Sequence, residues 1–320
     1  MTGRFKSGRF KSERPSLIAL VLLYIGLALA APRFYEVENL RDLALTNVSV
    51  LLVAMGMTFV IVVAQIDISV GSLFAITTVA CGVLAKAGVP TLLLPIAALL
   101  IGSTLGGMNG ALISFVKAPS IVVTLATMVA WREALRWSTG GAWVEGLPGS
   151  FQWFGMGQAA GQMAIVGAAL FLFAGLWWAS RNVSAFRTIY ATGSDTEAAR
   201  LAGISTTQVV FWVFVLIGAL TGIASLLNVV RFSDVPANSG NNLELKAIAA
   251  VVVGGTPITG GRGSLLGTLI GVMLLGSIGP ALTFLGINPY WEQAIQGAII
   301  LITVLLEAVG AHREKRLITA

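Results

Sequence analysis

Residues 51–72 read LLVAMGMTFVIVVAQIDISVGS. The first fourteen carry no charge and one hydroxyl, Thr58; the last eight, Gln65-Ile66-Asp67-Ile68-Ser69-Val70-Gly71-Ser72, hold an amide, an acid and two hydroxyls. The uncharged run begins just after Asp42, and the span 44–64 within it is long enough to cross a bilayer core of about 30 Å as a helix. The run is continuous rather than alternating, which excludes the strand of a membrane barrel. The segment 65–72 then breaks the apolar background, and its acid has no base beside it.

The same pattern repeats along the chain. Spans are expected near 16–32, 44–64, 69–86, 91–116, 119–138, 160–180, 209–231, 244–256, 264–286 and 290–308. The segment 244–256 is the shortest of these ten. Composition agrees: 56% of the 320 residues are hydrophobic and 11% are charged, against about 25% charged in soluble domains. Mean hydropathy is +0.88. A soluble globular enzyme and a disordered chain are both excluded. The fold expected is an all-α polytopic membrane protein with broken or re-entrant segments. Its 37 glycines suit close helix packing.

The chain holds 1 Cys, Cys81, and 1 His, His312. No disulfide framework and no Cys/His metal cluster can be built from these. Ser-His-Asp and Cys-His nucleophiles are removed too, except through His312 in the polar tail.

Basic residues set the orientation. Arg4, Lys6, Arg9, Lys11 and Arg14 precede the first span, and Arg313, Lys315 and Arg316 lie beyond the last. With both tails cytoplasmic the span count is even, and ten agrees. Arg181, Arg187 and Arg200 in the loop 181–208, with Lys117 and Arg262, then fall on the same side. The net charge of +6 is thereby explained without nucleic acid. The N-terminus also has the basic, apolar and Ala28-Leu29-Ala30 features of a secretory signal; an uncleaved first span is the reading adopted. The expected organisation is a basic tail over 1–15, a transmembrane domain over 16–308 and a second basic tail over 309–320.

Polar and flexible residues inside such a background mark sites. The stretch 65–72 reads either as a short cytoplasmic turn, with Asp67 and Ser69 capping the next helix, or as a broken helix lining a polar pathway. Gly102, Gly106 and Gly110 lie four apart and form a smooth packing stripe. Asn109 beside them could bond across helices or face a substrate path. Pro119 suits the first position of a helix, and Thr124 and Thr127 share a face of it. The loop 138–160, with Trp143, Phe151, Trp153 and Phe154, reads as an outer aromatic belt.

Gly193 to Ile204 is the most informative loop. Ser194 with Glu197 three residues on reads as a capping box, and Gly203 as a terminator. Between them a helix of about two turns is expected over 195–202, with Asp195 and Glu197 at its start and Arg200 toward its end. So short a helix needs a partner surface, which makes it a docking element on the cytoplasmic face. Gly254 to Ser264 is Gly-rich but lacks the phosphate-loop pattern. It reads as a re-entrant turn, and its Gly263-Ser264 echoes Gly71-Ser72, which suggests an internal repeat of spans two to five in spans seven to ten.

Four of these segments in order resemble one family. Gln65 to Ser72 is similar to its G-I-D-L-S-V-G-S, with Gln65 in place of Gly. Asn109-Gly110 with Pro119-Ser120-Ile121-Val122-Val123-Thr124-Leu125 resembles its N-G…P-x-I-V-T-L. Residues 193–204 resemble its G-x-x-x-x-A-A-R-x-x-G-I, and Ile248-Ala249-Ala250 with the Gly-rich turn resembles a further motif. The family is that of permease subunits of bacterial sugar ABC importers, within the branched-chain amino acid and sugar permeases. The stretches 139–148 and 190–193 look most like its rhamnose and autoinducer-2 branches.

The resemblance implies an ATP-driven importer of a monosaccharide, such as rhamnose, a ribose-like sugar or an autoinducer-2-type furanose, in the inner membrane. Its partners are a cytoplasmic ATPase subunit, a periplasmic or lipid-anchored binding protein and a second permease chain. ATP and magnesium belong to the ATPase, so this chain carries no cofactor, no metal and no catalytic residue. Gly193, Ser194, Asp195, Glu197, Ala198, Ala199, Arg200, Leu201 and Gly203 become ATPase-coupling candidates. Asp67, Ser69, Asn109, Thr124 and Thr127 become candidates for the translocation path. The alternative is a stand-alone secondary transporter or channel, which needs an ion-coupling acid in mid-span.

Overall fold

The computed structural model describes residues 13–236 and 238–318, with side chains undescribed at 304 and 306–318. The tail charges Arg4, Lys6, Arg9 and Lys11, and the side chains of Arg313, Lys315 and Arg316, lie outside the described residues. The described chain has twelve α-helices and no strand: α1 Arg14–Ala30, α2 Val37–Val62, α3 Val70–Lys86, α4 Leu94–Ser114, α5 Ser120–Thr139, α6 Gln158–Asn182, α7 Ser184–Ser194, α8 Thr196–Leu201, α9 Thr206–Val229, α10 Leu243–Val253, α11 Leu265–Phe284 and α12 Trp291–Ile318.

All ten expected spans are helical. Five helical segments are long and apolar enough to cross a bilayer by length and composition, namely Val37–Val62, Thr91–Ser114, Gln158–Asn182, Thr206–Val229 and Leu265–Phe284. Two more, α1 and α3, are shorter apolar helices. At 11 residues, α10 rises only about 16 Å. It is a half-helix and does not cross unaided.

The chain buries α2 at its centre. Every residue from Leu51 to Val63 is buried, because α6, α7, α9, α10 and α11 pack around it. A helix apolar on every face suits either lipid or the centre of a bundle, and here the bundle surrounds it.

The most extensive helix contact is between α4 and α9. It exists because both helices present glycine. A Cβ on Gly102 would overlap the Gly218 carbonyl, and one on Gly106 would overlap the Phe214 carbonyl and sit 2.9 Å from the Gly218 Cα. Gly110 faces Phe214 at 2.9 Å, and Gly222 abuts the Ala98 carbonyl. Between apolar helices in lipid the hydrophobic effect supplies little, so this close approach is the source of attraction.

Two non-helical connections lie beside α3. Residues 63–69 lead from the end of α2 to the start of α3. Between α9 and α10, residues on both sides of position 237 lie along α3: Val235 faces Gly82, while Gly240 and Glu244 face Gly71. The first turns of α3 and α10 therefore lie together. The Gly-Ser pairs differ in place, since Ser264 caps α11 through Gly267 N–H at 3.4 Å whereas Ser72 lies within α3. The dipeptide match alone therefore does not carry the repeat.

The outer loop departs from a simple belt. Trp143 is exposed, but Phe151 is fully buried, and the Trp153 N–H donates to Val230 O at 2.7 Å. The reason is local: Gly161 on α6 has no side chain and lets Trp153 press onto its backbone. Of the loop's aromatics, Phe151 is turned into the protein, Trp153 and Phe154 are half-buried and Trp143 stays exposed.

The glycine contact gives a direct test. Gly106→Val should cost about 1–3 kcal/mol, as overpacking does. Gly175→Ala, where nothing lies within 4 Å, should be neutral or stabilising by about 0.5–1 kcal/mol. Thermal unfolding of the purified proteins in detergent measures both. A Gly106→Val melting point equal to wild type would refute the packing role.

Candidate functional site

An unwound backbone inside a bundle needs partners that an intact helix would supply itself. The break after α2 has them. Ala64 turns the chain with a left-handed φ of 57°, and Gln65 N–H closes the helix end onto Val60 O at 3.0 Å. Ile66 faces α5 on both sides: its N–H donates to Ser120 Oγ at 3.4 Å, and its carbonyl lies 3.4 Å from Thr124 Oγ1, whose hydroxyl also donates to Ser120 O at 2.8 Å.

Asp67 and Ser69 do not cap α3 as a turn would. The Asp67 Oδ1 accepts from the Ser69 N–H at 2.9 Å and from Ser69 Oγ at 2.6 Å. Asn109 Nδ2 on α4 then donates to Ser69 Oγ at 2.7 Å. Thus Asp67, Ser69 and Asn109 form one chain of hydrogen bonds joining the break, α3 and α4. Each is fully buried, as is Thr124. Asp67 Oδ2 and Asn109 Oδ1 have no hydrogen-bond partner. Thr127 stands apart: its hydroxyl bonds Val123 O at 3.0 Å and Thr124 O at 3.3 Å on its own helix.

The second site lies where α2 ends. The loop 181–208 contains two helices, not one. Helix α7 was not evident as such, although Phe186 and Ile189 share the face it buries: Phe186 stacks on Phe59 with centroids 5.0 Å apart. Ser194 is the last residue of α7, so its hydroxyl bonds back to Tyr190 O at 2.8 Å and forms no capping box. The cap of α8 is Asp195, whose Oδ1 accepts from the N–H groups of Glu197 and Ala198 at 3.0 and 2.9 Å. Glu197 instead pairs with Arg200 at 2.6 Å. Gly203 does end α8, with φ +82° and Ile204 N–H on Ala199 O at 3.0 Å.

Helix α8 projects from a tight junction. Gly193 lies so close to Val62 O that no side chain fits there. Gly261 N–H donates to the same carbonyl at 2.9 Å, Ser194 Oγ reaches Gly261 O at 3.3 Å and Tyr190 Oη reaches Gly263 O at 3.1 Å. The Gly-rich turn 254–263 is thereby fastened between α7 and the end of α2. Val62, Tyr190 and Gly261 were absent from the candidates because the signal is backbone proximity. On α8 itself Ala199 is buried, while Glu197, Arg200 and Leu201 are exposed, Leu201 by 79%. Among the described residues no three of His, Cys, Asp and Glu gather to hold a metal.

Comparison with known proteins places the chain in a family. The chain is 34% identical over 310 residues to the ribose import permease protein RbsC of Haemophilus influenzae, covering 96% of each chain. It is 34% identical over 318 residues to the protein of the same name in Escherichia coli K12, covering 96% of this chain and 99% of the relative. It is 32% identical over 295 residues to the autoinducer 2 import system permease protein LsrC of Escherichia coli, covering 92% and 86%. No solved structure gives a significant match. The model of the branched-chain amino acid transport system / permease component family matches residues 39–304, and the chain belongs to that family.

Proposed function

We propose that this chain is the membrane-spanning subunit of an ATP-driven importer for a monosaccharide or a furanose of the autoinducer-2 type. It works in the inner membrane with both termini cytoplasmic. ATP is hydrolysed on a separate ATPase subunit, a binding protein delivers the solute, and a second permease chain completes the passage. The relatives support a ribose-like or autoinducer-2-like solute at similar identity, and rhamnose stays among the candidates from the outer-loop resemblance.

One observation carries the reading: a short, exposed, capped helix is fastened to the end of the most buried helix. Alone, α8 is far too short to persist, so its exposed Glu197, Arg200 and Leu201 call for a protein surface. A push on α8 passes through Gly193 and Gly261 to the Val62 carbonyl. Val62 is five residues before Asp67, so the strain arrives at the Asp67–Ser69–Asn109 bonds. In this state those bonds hold the break closed against α4 and α5. Their loss in the transport cycle would free α3 and the residues beside it, Val235 and Gly240.

Charge reversal at α8 separates coupling from folding. The Glu197–Arg200 pair is about two-thirds exposed and contributes about 0.5 kcal/mol or less. Glu197→Lys should therefore leave the melting point within about one degree, yet lower ATP-dependent uptake by the assembled importer at least tenfold. Full transport after deletion of 194–203, or uptake by this chain alone, would sink the reading.

The break is tested by two substitutions. Asp67→Ala leaves the buried Ser69 N–H without an acceptor and should cost about 1–3 kcal/mol. Asp67→Asn keeps an oxygen at that position and should lose less than half as much. Equal melting points for the two variants would show that Asp67 does not hold the break.

A further inference from the structure

We propose that the cleft between α2, α10, α11 and α12 is a binding station for one monosaccharide ring. The proposal rests on the import reading above and assigns that solute a place on the permease itself. Lys246 and Glu292 led to it, because neither the coupling helix nor the buried break uses them. An ionisable pair among membrane helices points to a pathway or a ligand.

The cleft has a volume of about 300 Å³ and is lined by Asp42, Asn47, Lys246, Glu292 and Gln296 with apolar walls that include Phe284. That is the lower end of the range for small-molecule sites, about 300–1,000 Å³. One small ring fits, with its hydroxyls on these few polar groups and its flat face on the predominantly apolar walls; a peptide is too large. The polar groups are held in place from beneath. Glu292 Oε1 accepts from Lys246 Nζ at 3.5 Å and from Gln296 Nε2 at 3.0 Å, and Gln296 also donates to Leu275 O at 3.4 Å. Asn47 Nδ2 donates to Leu43 O at 2.8 Å.

Helix α11 is shaped for this contact. Gly276 and Gly279 lack the Cβ that would collide with the Asn47 amide and the Glu292 carboxylate. Pro280, inside α11, has no N–H to give the carbonyl four residues earlier, which is that of Gly276. The Gly276 carbonyl is therefore left with acceptor capacity, and both Gly276 and Pro280 line the cleft. A sugar needs donors and acceptors at close spacing plus one apolar face. Lys246 Nζ retains spare donors, and Asp42, Glu292 and the Gly276 carbonyl accept. Phe284, held edge-on by Phe34 at 5.9 Å, offers the apolar face.

The test uses the full chain in lipid nanodiscs. Thr46 lines the cleft and is exposed, and the native Cys81 is fully buried, so Thr46→Cys adds a single reactive thiol. A charged methanethiosulfonate should label it, and millimolar D-ribose, L-rhamnose or D-xylose should slow labelling at least fivefold. Ser233→Cys, exposed in the segment after α9, should label at a rate no sugar changes. Adding Gln296→Ala to Thr46→Cys should abolish protection. Asp42→Cys serves as a second reporter if Thr46→Cys folds poorly. Failure of both thiols to label would mean that the cleft is filled with lipid and would overturn the proposal. So would labelling that no sugar slows. Uptake by the assembled importer tells the two readings apart. Sugar uptake without protection overturns the cleft alone, whereas absence of both uptake and protection overturns the import reading with it.

Discussion

An unwound backbone buried in a bundle must find its hydrogen bonds in protein, and this requirement organises the chain around residues 63–69. In hydrocarbon each orphaned group would cost several kcal/mol. Ser120 and Thr124 on α5 serve the Ile66 amide and carbonyl, and Asp67 serves the Ser69 amide. These polar residues are what an all-apolar chain needs in order to interrupt a helix. The interruption in turn lets α3 begin inside the bundle beside the first turn of α10.

The glycine face between α4 and α9 sets the distances at which this works. Asn109 lies between Gly106 and Gly110, so the close approach of α4 to α9 also fixes the height and rotation of the Asn109 amide. Its bond to Ser69 at 2.7 Å depends on α4 sitting where only glycine allows. Packing and polar contact are two faces of one helix.

The sequence was most legible where a single physical rule dominated. Uninterrupted apolar runs located a helix at each of the ten expected places, and five of these are long and apolar enough to cross a bilayer. The glycine stripe was readable because a spacing of four defines a face, and Gly203 because few residues accept a left-handed φ. Less visible was anything set by tertiary backbone contact. Helix α7 hid in a polar loop, since its apolar face consists of little more than Phe186 and Ile189 and is covered only in the fold, by Phe59 and the helices α2, α6 and α9. The cap passed from Ser194 to Asp195 because α7 claims Ser194 as its own last residue. Phe151 and Trp153 turned inward because Gly161 leaves space on α6, which composition alone does not reveal. Of the expected path residues, Thr127 bonds only within α5, while Asp67, Ser69, Asn109 and Thr124 converge.

These arrangements make α2 the common element. Its last carbonyl receives Gly261 beside Gly193, and the break just beyond it is locked by Asp67. Its first half carries Asp42, Thr46 and Asn47 along the cleft facing α10, α11 and α12. A helix buried from Leu51 to Val63 cannot bend gradually, because its neighbours are close-packed on every side. A shift at its Val62 end is therefore transmitted to the break or along the axis as a rigid displacement. Either route alters the geometry between Asn47 and Gly276, where no Cβ separates the two helices. Release of the buried hydrogen bonds and reshaping of the cleft would then be two consequences of one movement of α2.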